Sequence, residues 1–491
     1  MPSDGYSLKQ AAADLAATGL LAGCLVPGDT GWERIDPVQA ETLSGQFQGA
    51  TLDSRDVQPG GLFVALAGEK VDGRDFVAAA LANGAGAALS RDWSEATTDP
   101  LLSLPAPIDD SAAILLSKEP SVAFAHLAGC WRRAQDQVKL VAVTGSNGKT
   151  TTKDFIAAFF RAAGAGHTTQ GNLNNELGVP LTVLGLRPEH RLAVVEMGAS
   201  AAGDIAKLAA IARPEIGVIT NAAEAHLAVF GSLDGVIRGK GELLTDLPAD
   251  GRAIINRDSP GFAYWSGSAS CPVVSFGREP GEFCWSWQPA KAVAGGELLL
   301  DDSSWQVPLP GEHNGANLVA AILAARAAGL TDAVIRTGLL EFSPSPHRSA
   351  VRELAGVGLL DDCYNANPTS MERAASTVRE LAGDGRAIAV LGQMAELGDD
   401  SEAIHVRTGA RLQAIGIDLV VTVGDQALAL GEGFRSAGGE TEQFVTHAEA
   451  ANWLSGHCVS GDFVLVKGSR AAGMEEVIDL WRRAVDDQDF S

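Results

Sequence analysis

The chain has 491 residues, 46% of them hydrophobic and 56 of them glycine, and a net charge of −24. That length predicts two or three α/β domains, and the acidic balance argues against nucleic acid and anionic membrane as partners while leaving a local phosphate site open. The six cysteines (Cys24, Cys130, Cys271, Cys284, Cys363 and Cys458) are scattered without a CxxC pair, which points to a reducing compartment with neither a disulfide framework nor a zinc site.

In chain order, the spacing of Leu8, Ala11, Leu15 and Leu20 predicts an amphipathic helix. Leu20-Leu-Ala-Gly-Cys24 looks like a lipoprotein cleavage box, but Asp4 and Asp14 with Lys9 as the single base oppose an exported leader. No run approaches the roughly 20 apolar residues of a membrane span, so a cytoplasmic location without membrane attachment is expected. A first unit is expected over 1–137. It contains Gly49-Ala-Thr-Leu-Asp-Ser-Arg55, a strand within Gly60–Leu66 after a Pro-Gly turn, and Asp72-Gly73.

A second block, 138–343, opens on Val141-Ala-Val-Thr-Gly-Ser-Asn-Gly-Lys-Thr-Thr-Thr152. The apolar run from Leu140 predicts a buried parallel strand. A Gly-rich turn follows, and then a helix with Phe155, Ile156, Phe159 and Phe160 on its buried side. Gly145 and Gly148 let backbone N–H groups approach phosphate oxygens, Ser146 and Asn147 complete the turn, Lys149 reaches the terminal phosphates, and Thr150, followed by Thr151, can hold Mg²⁺. Val143 stands where the longer phosphate loop has a glycine, so this is the shorter TGxxGKT form, which points away from ordinary GTPases and motors.

Strands are expected at Leu192–Val195, Ile216–Thr220 and Ala253–Ile255, alternating with helices in a βαβ pattern that predicts a parallel sheet. Open α/β sheets place their sites at the carboxyl ends of the strands. Glu196 follows the first of these strands, where a carboxylate can serve Mg²⁺ or simply be solvated. Asn221 and His226 follow the second. Lys240 lies fourteen residues after His226 on a helix, a place usually filled by a surface residue. In Leu309-Pro-Gly-Glu-His-Asn-Gly-Ala-Asn317, Asn314 and Asn317 lie one turn apart, suited either to adenine's hydrogen-bonding edge or to helix capping. Ser343-Pro-Ser-Pro346 reads as a linker. The third block, 344–491, has strands at Gly358–Leu360, Ala387–Leu391, Leu419–Val423 and Phe463–Val466 and reads as a small doubly wound domain.

Taken together, TGSNGKTT, Gly171-Asn-Leu-Asn-Asn-Glu-Leu-Gly-Val-Pro180, Glu196-Met-Gly198, the His226–Lys240 spacing and the HNxxN segment are similar to the Mur ligase family. These are ATP-dependent ligases that build the peptide of the bacterial cell-wall precursor. The finer pattern resembles the branch that joins D-alanyl-D-alanine (D-Ala-D-Ala) to UDP-N-acetylmuramoyl-tripeptide (UDP-MurNAc-tripeptide). It is carried by the Asn-rich run 172–175, Phe230-Gly-Ser232, Asp361-Asp-Cys-Tyr-Asn-Ala-Asn-Pro368, Val390–Gly398 and Val466–Arg470. The DNPR-type motif of a diaminopimelate-adding relative is absent.

The resemblance implies three domains: an α/β UDP-substrate domain, a central parallel-sheet ATPase domain and a C-terminal Rossmann-like domain. It also implies an acyl-phosphate mechanism, with ATP and Mg²⁺ as cofactors and a monomeric enzyme. By position, Lys149 would contact ATP phosphates, Thr150 and Glu196 one Mg²⁺, and His226 a second. Lys240 matches a lysine that the family carbamylates, giving an anionic oxygen ligand. Asn314 and Asn317 match adenine-side positions, and Arg348 and Asp362 match residues on phosphate and ribose. Ser54, Arg55 and Asp72 match the UDP side, and Thr168, Asn172 and Asn175 the sugar–peptide side. His347, Cys363 and Gln393 depart from the pattern, which more often has Gly, Ser and Asp there. Two other readings stay open at this point: a folylpolyglutamate-synthase-like ligase, and an ATP-binding switch protein without ligase activity.

Overall fold

The computed structural model describes residues 5–28, 31–93, 104, 111–164, 166–224, 227–290 and 295–489. By its contacts the chain falls into two compact units. One comprises Met1–Ala142, Gly164–Gly198 and Asp204–Glu215; the other comprises Val143–Ala163, Ala199–Gly203 and Ile216–Ser491.

The first unit opens with the helix Leu8–Ala17, capped by the Ser7 hydroxyl and burying Leu8, Ala11, Ala12 and Leu15. It stops short of Leu20 because Gly19 takes a left-handed φ of 72°. Cys24 lies buried in the strand Gly23–Gly28, which pairs on both sides, so the apparent cleavage box is part of a sheet. That six-stranded sheet runs Gly31–Ile35, Gly23–Gly28, Ala113–Ser117, Ala87–Arg91, Leu62–Val64, Ala50–Thr51. Its last four strands are parallel.

Arg132, on the helix Pro120–Ala134, is almost wholly buried. Its guanidinium donates to the carbonyls of Ala212, Gln135, Val138 and Arg213 and to Glu215 Oε1 at 2.8–3.3 Å. One cation thereby satisfies the orphan carbonyls at the end of the helix Asp204–Ala212.

The expected central strands are present as Lys139–Thr144, Leu192–Glu196, Ile216–Ile219 and Arg252–Asn256. The sheet is not purely parallel, however. After Val273–Gly277 it continues into Phe283–Pro289, Gly296–Leu300 and Ser303–Val307, and these last three pair antiparallel. Trp285, Leu298, Leu300, Trp305 and Val307 fill the inner face of this extension, and the residues between them point outward.

The C-terminal sheet runs Ala350–Leu354, Val357–Asp361, Phe463–Lys467, Ala387–Leu391, Leu419–Val423, Glu440–Phe444. All its pairs are parallel except the first. Buried side chains cover both faces, including Met371, Val378 and Phe434 in one cluster and Met474, Ile478 and Trp481 in the other, as in a doubly wound α/β layer. Within the second unit, the Pro-rich segment 343–346 is tied down rather than loose. Ser345 Oγ donates to Asp154 at 2.6 Å, and Phe342 stacks on Phe155 with centroids 4.1 Å apart. Among the described residues no helix is long and apolar enough to cross a membrane.

Candidate functional site

The strand Lys139–Thr144 turns through Gly145 and Gly148 into the helix Lys149–Ala162. Both glycines are required. Gly145 has φ 149°, and a Cβ there would stand 1.9 Å from Thr220 Oγ1; Gly148 has φ 81°, and a Cβ there would stand 2.1 Å from Asn317 Oδ1. The loop is strapped to the segment after Ile216–Ile219. Ser146 N donates to Asn221 O at 2.9 Å, and Asn147 N donates to Asn221 Oδ1 at 3.1 Å. The Asn147 carbonyl accepts from Thr220 Oγ1 at 2.6 Å and Asn221 Nδ2 at 3.0 Å.

The Ser146 and Asn147 amides are therefore used inside the loop. The Lys149 ammonium folds back onto Gly145 O at 2.8 Å. Thr150 is buried and Thr151 half-buried at the helix start. Asn147 Oδ1 accepts from Asn367 Nδ2 at 2.7 Å, a contact 220 residues apart that no local spacing could announce.

Glu196 closes the strand Leu192–Glu196 and is 1% exposed. Asn174 Nδ2 donates to its Oε1 at 2.8 Å, while Oε2 has no hydrogen-bond partner among the described residues. An ionised carboxylate oxygen kept from water without a partner is costly, and a divalent cation is the group that would satisfy it. Asn174 was not singled out in the sequence. Its neighbours were, and Asn175 turns out to cap the helix Gly178–Leu184 by accepting from Leu177 N and Gly178 N, while Asn172 is exposed. Thr168 ends the short strand Gly166–Thr168.

Lys240 is not a surface residue. It sits on the helix Leu233–Thr245, 2% exposed, with Nζ 6.0 Å from the centre of the Phe230 ring. Burial first, and the charge of Lys149 second, push its pKa down from 10.5 to about 7. The shift favours the free amine, a nucleophile, over the ammonium. His226 lies outside the described residues.

Asn314 and Asn317 sit on one buried face of the helix Glu312–Ala327. Asn317 Nδ2 donates to Asn314 Oδ1 at 3.2 Å, and Asn314 Nδ2 donates to Pro310 O at 2.8 Å. The neighbouring His313 is held neutral, its pKa pushed down to about 4 by burial and then by the charge of Arg373.

Arg348 lies over the Tyr364 ring at 4.1 Å. Asp362 accepts from Ser349 N at 3.0 Å and from the ammonium of Lys467, which is itself buried and also donates to Asn365 O at 2.8 Å. On the first unit, Ser54 is buried with its carbonyl accepting from Asn83 Nδ2 at 2.9 Å. Arg55 is exposed beside Asp53, and Asp72 caps Arg74 N at 3.0 Å while pairing with Arg91 at 2.7 Å.

Residues 143–325 match the Mur ligase middle domain, 347–470 the Mur ligase glutamate ligase domain, and 46–114 the Mur ligase family catalytic domain. The UDP-N-acetylmuramoyl-tripeptide–D-alanyl-D-alanine ligase of Escherichia coli is 38% identical over 464 residues, which span 89% of this chain and 96% of that one. The chain belongs to the Mur ligase family. A MurF crystal structure from Acinetobacter baumannii superposes with a TM-score of 0.81 at 31% identity, covering 98% of this chain and 100% of that one. MurF from Thermotoga maritima in complex with ADP gives 0.76 at 28% identity, over 90% and 98% of the two chains. As a Mur ligase the chain is an ATP-dependent, ADP-forming ligase, and the expectation of a three-part α/β architecture holds.

Proposed function

We propose that this Mur ligase joins D-Ala-D-Ala to UDP-MurNAc-tripeptide in peptidoglycan precursor synthesis. The observation that carries the reading is the end-to-end likeness to ligases of that name, which includes the first-unit segments that a folylpolyglutamate synthase or an ATP switch would not need. ATP phosphorylates the tripeptide's terminal carboxylate, releasing ADP. The amine of D-Ala-D-Ala then attacks the acyl carbon, and phosphate leaves as the amide forms. A carboxylate does not accept an amine at neutral pH, so the phosphoryl group supplies the leaving group.

In this reading Lys149 and the helix start hold the terminal phosphates. Asn314 and Asn317 serve the adenine side, and Arg348 and Asp362 the phosphate and ribose. Ser54, Arg55 and Asp72 serve the UDP group, and Thr168, Asn172 and Asn175 the sugar and peptide. Thr150, Glu196, His226 and a carbamylated Lys240 would hold Mg²⁺, which supplies charge stabilisation for the crowded anions. The orphaned Glu196 oxygen and the low-pKa Lys240 amine support that donor set. We assign the three roles to 1–137 for the UDP substrate, 138–343 for ATP and 344–491 for nucleotide closure, in a cytoplasmic monomer.

The test is phosphate release with product identified by mass. Purified protein with ATP, Mg²⁺, UDP-MurNAc-tripeptide and D-Ala-D-Ala should release one phosphate per pentapeptide formed. Turnover only with folate and glutamate, or ATP binding without amide formation, would overturn the assignment.

A further inference from the structure

Three side chains that ligase chemistry leaves unused meet in the C-terminal sheet. Asp361 is the last residue of the strand Val357–Asp361, Cys363 follows two residues later, and His347 lies just before the strand Ala350–Leu354 that pairs with it. His347 Nδ1 is 3.0 Å from Asp361 Oδ2, Cys363 Sγ is 3.0 Å from Asp361 Oδ1, and the sulfur and the imidazole nitrogen are 3.5 Å apart. Asp361 and Cys363 are fully buried, and His347 is half-buried. These are the only three His, Cys, Asp or Glu residues among the described ones whose ligand atoms lie mutually this close.

The plain reading is a hydrogen-bonded cluster in which a buried carboxylate takes protons from an imidazole and a thiol. Three observations go beyond it. First, three different ligand atoms lie 3.0, 3.0 and 3.5 Å apart, so the two shorter pairs need to open by only about 0.3–0.6 Å to form one face of a coordination tetrahedron. With metal–nitrogen and metal–oxygen bonds of about 2.0–2.2 Å and a metal–sulfur bond of about 2.3 Å, its edges are about 3.3–3.6 Å. Second, His347 and Ser349 both hold left-handed backbone, at φ 60° and 50°. Neither is a glycine, so the segment that presents the imidazole is strained. Third, Glu475, at the start of the helix Glu475–Asp489, has its Oε2 buried without a hydrogen-bond partner among the described residues. Its charge acts on both the Cys363 thiol and His347. The Arg352 guanidinium stays 3.7 Å from Asp361, and Arg470 pairs with the other carboxylate oxygen of Glu475.

We propose that His347 Nδ1, Asp361 and Cys363 Sγ bind a divalent transition metal of the zinc class, with Glu475 or water completing the tetrahedron. The mixed nitrogen, oxygen and sulfur set selects zinc over the hard Mg²⁺ of ATP chemistry. On binding, the Cys363 S–H bond breaks and its proton passes to solvent as the sulfur–metal bond forms. His347 gives the Nδ1 lone pair and carries its proton on Nε2, and no electron is transferred. Burial and the Asp361 charge raise the free thiol's pKa, so the metal-free cysteine is protonated and uptake releases that proton. Arg348 and Asp362 lie between the ligands in sequence, so the metal fixes the backbone on either side of both. The cysteine spacing had excluded a zinc site, because the ligands come from a turn and a strand end rather than from a CxxC pair.

The experiment strips the full chain with a chelator and titrates it with Co²⁺ in excess Mg²⁺. One equivalent should give the near-ultraviolet thiolate-to-cobalt band and the visible bands of a tetrahedral ion, both displaced by Zn²⁺. No thiol lies among the residues assigned to Mg²⁺, so the band reports a cysteine site, and the Cys363 and His347 variants identify it as this one. Cys363→Ser should remove the band and weaken Co²⁺ binding at least tenfold. His347→Gly should also weaken it, and glycine suits the left-handed backbone, so folding is not at risk. Cys284→Ser, at an exposed cysteine, should change nothing. Absence of the band in the wild-type chain, or its survival in both Cys363→Ser and His347→Gly, would overturn the proposal. None of these readouts depends on ligase activity.

Discussion

Lys240 illustrates how far single residues could be read. Its family position was legible from the His226 spacing, but a lysine on a helix ordinarily faces water, and only the fold shows it sealed beneath Phe230 with its pKa near 7. Lys240→Ala should cut ligation about a hundredfold or more, the scale of losing one preorganised charged group, and short carboxylic acids should restore part of it by occupying the carbamate's place. Full activity in the alanine variant would remove the lysine from the mechanism. Stability should move the other way. The unfolded amine titrates near 10.5 and the folded one near 7, so the cost of burying the charge is complete below pH 7 and fades as pH rises to 10.5. Lys240→Met should therefore be more stable than wild type at pH 6, by an amount on the order of a few kcal/mol, and the gain should vanish by pH 10.5. Denaturant melts at both values check the sign. Asn174 and Lys467 were missed for different reasons. Which of three clustered asparagines meets Glu196 depends on loop geometry, and the Lys467–Asp362 pair joins residues 105 positions apart.

At the scale of elements, the apolar runs were the reliable signal. Ala387–Leu391 and Leu419–Val423 fall where the sequence placed them, because strands buried on both faces are hydrophobic at nearly every position. The antiparallel extension Phe283–Val307 went unread because its strands are wetted on one face. They alternate apolar and polar residues, a weaker signal than a βαβ run. The helix Pro120–Ala134 contributes through one side chain in particular. Arg132→Met keeps much of the buried volume but leaves four carbonyls and Glu215 without their donor. A loss of roughly 3–5 kcal/mol is expected, read as a lower midpoint in urea with an unchanged slope. A loss under about 1 kcal/mol would show that water replaces the guanidinium.

For the molecule as a whole, the residues assigned to UDP and to ATP phosphates fall in different compact units, Ser54, Arg55 and Asp72 in one and Lys149 in the other. Lys149→Ala should therefore abolish acyl-phosphate formation while leaving the affinity for the UDP substrate within about threefold of wild type, a change of less than 1 kcal/mol. Calorimetry with the UDP substrate alone tests this, and loss of that binding would contradict the division. Composition and motif order divide the sequence into three segments, whereas the grouping of Val143–Ala163 with Ile216–Ser491 depends on tertiary packing such as the Asn367–Asn147 contact.

The strap around the phosphate loop also bears on how the protein ages. Asn147-Gly148 is an asparagine–glycine pair, the sequence most prone to deamidation, in which the glycine nitrogen attacks the asparagine side-chain carbonyl carbon and ammonia departs. Here the Asn147 carbonyl is clamped by Thr220 and Asn221, its side-chain oxygen is held by Asn367, and Gly148 is locked at the helix start. The rotation that ring closure needs is blocked. The same hydrogen bonds that shape the loop thus protect it from slow self-destruction on storage or in a long-lived cell. Asn367→Ala should release the side chain and speed the appearance of aspartate and isoaspartate at 147, seen by peptide mapping of protein held for weeks at mildly alkaline pH, whereas wild type should retain its asparagine there.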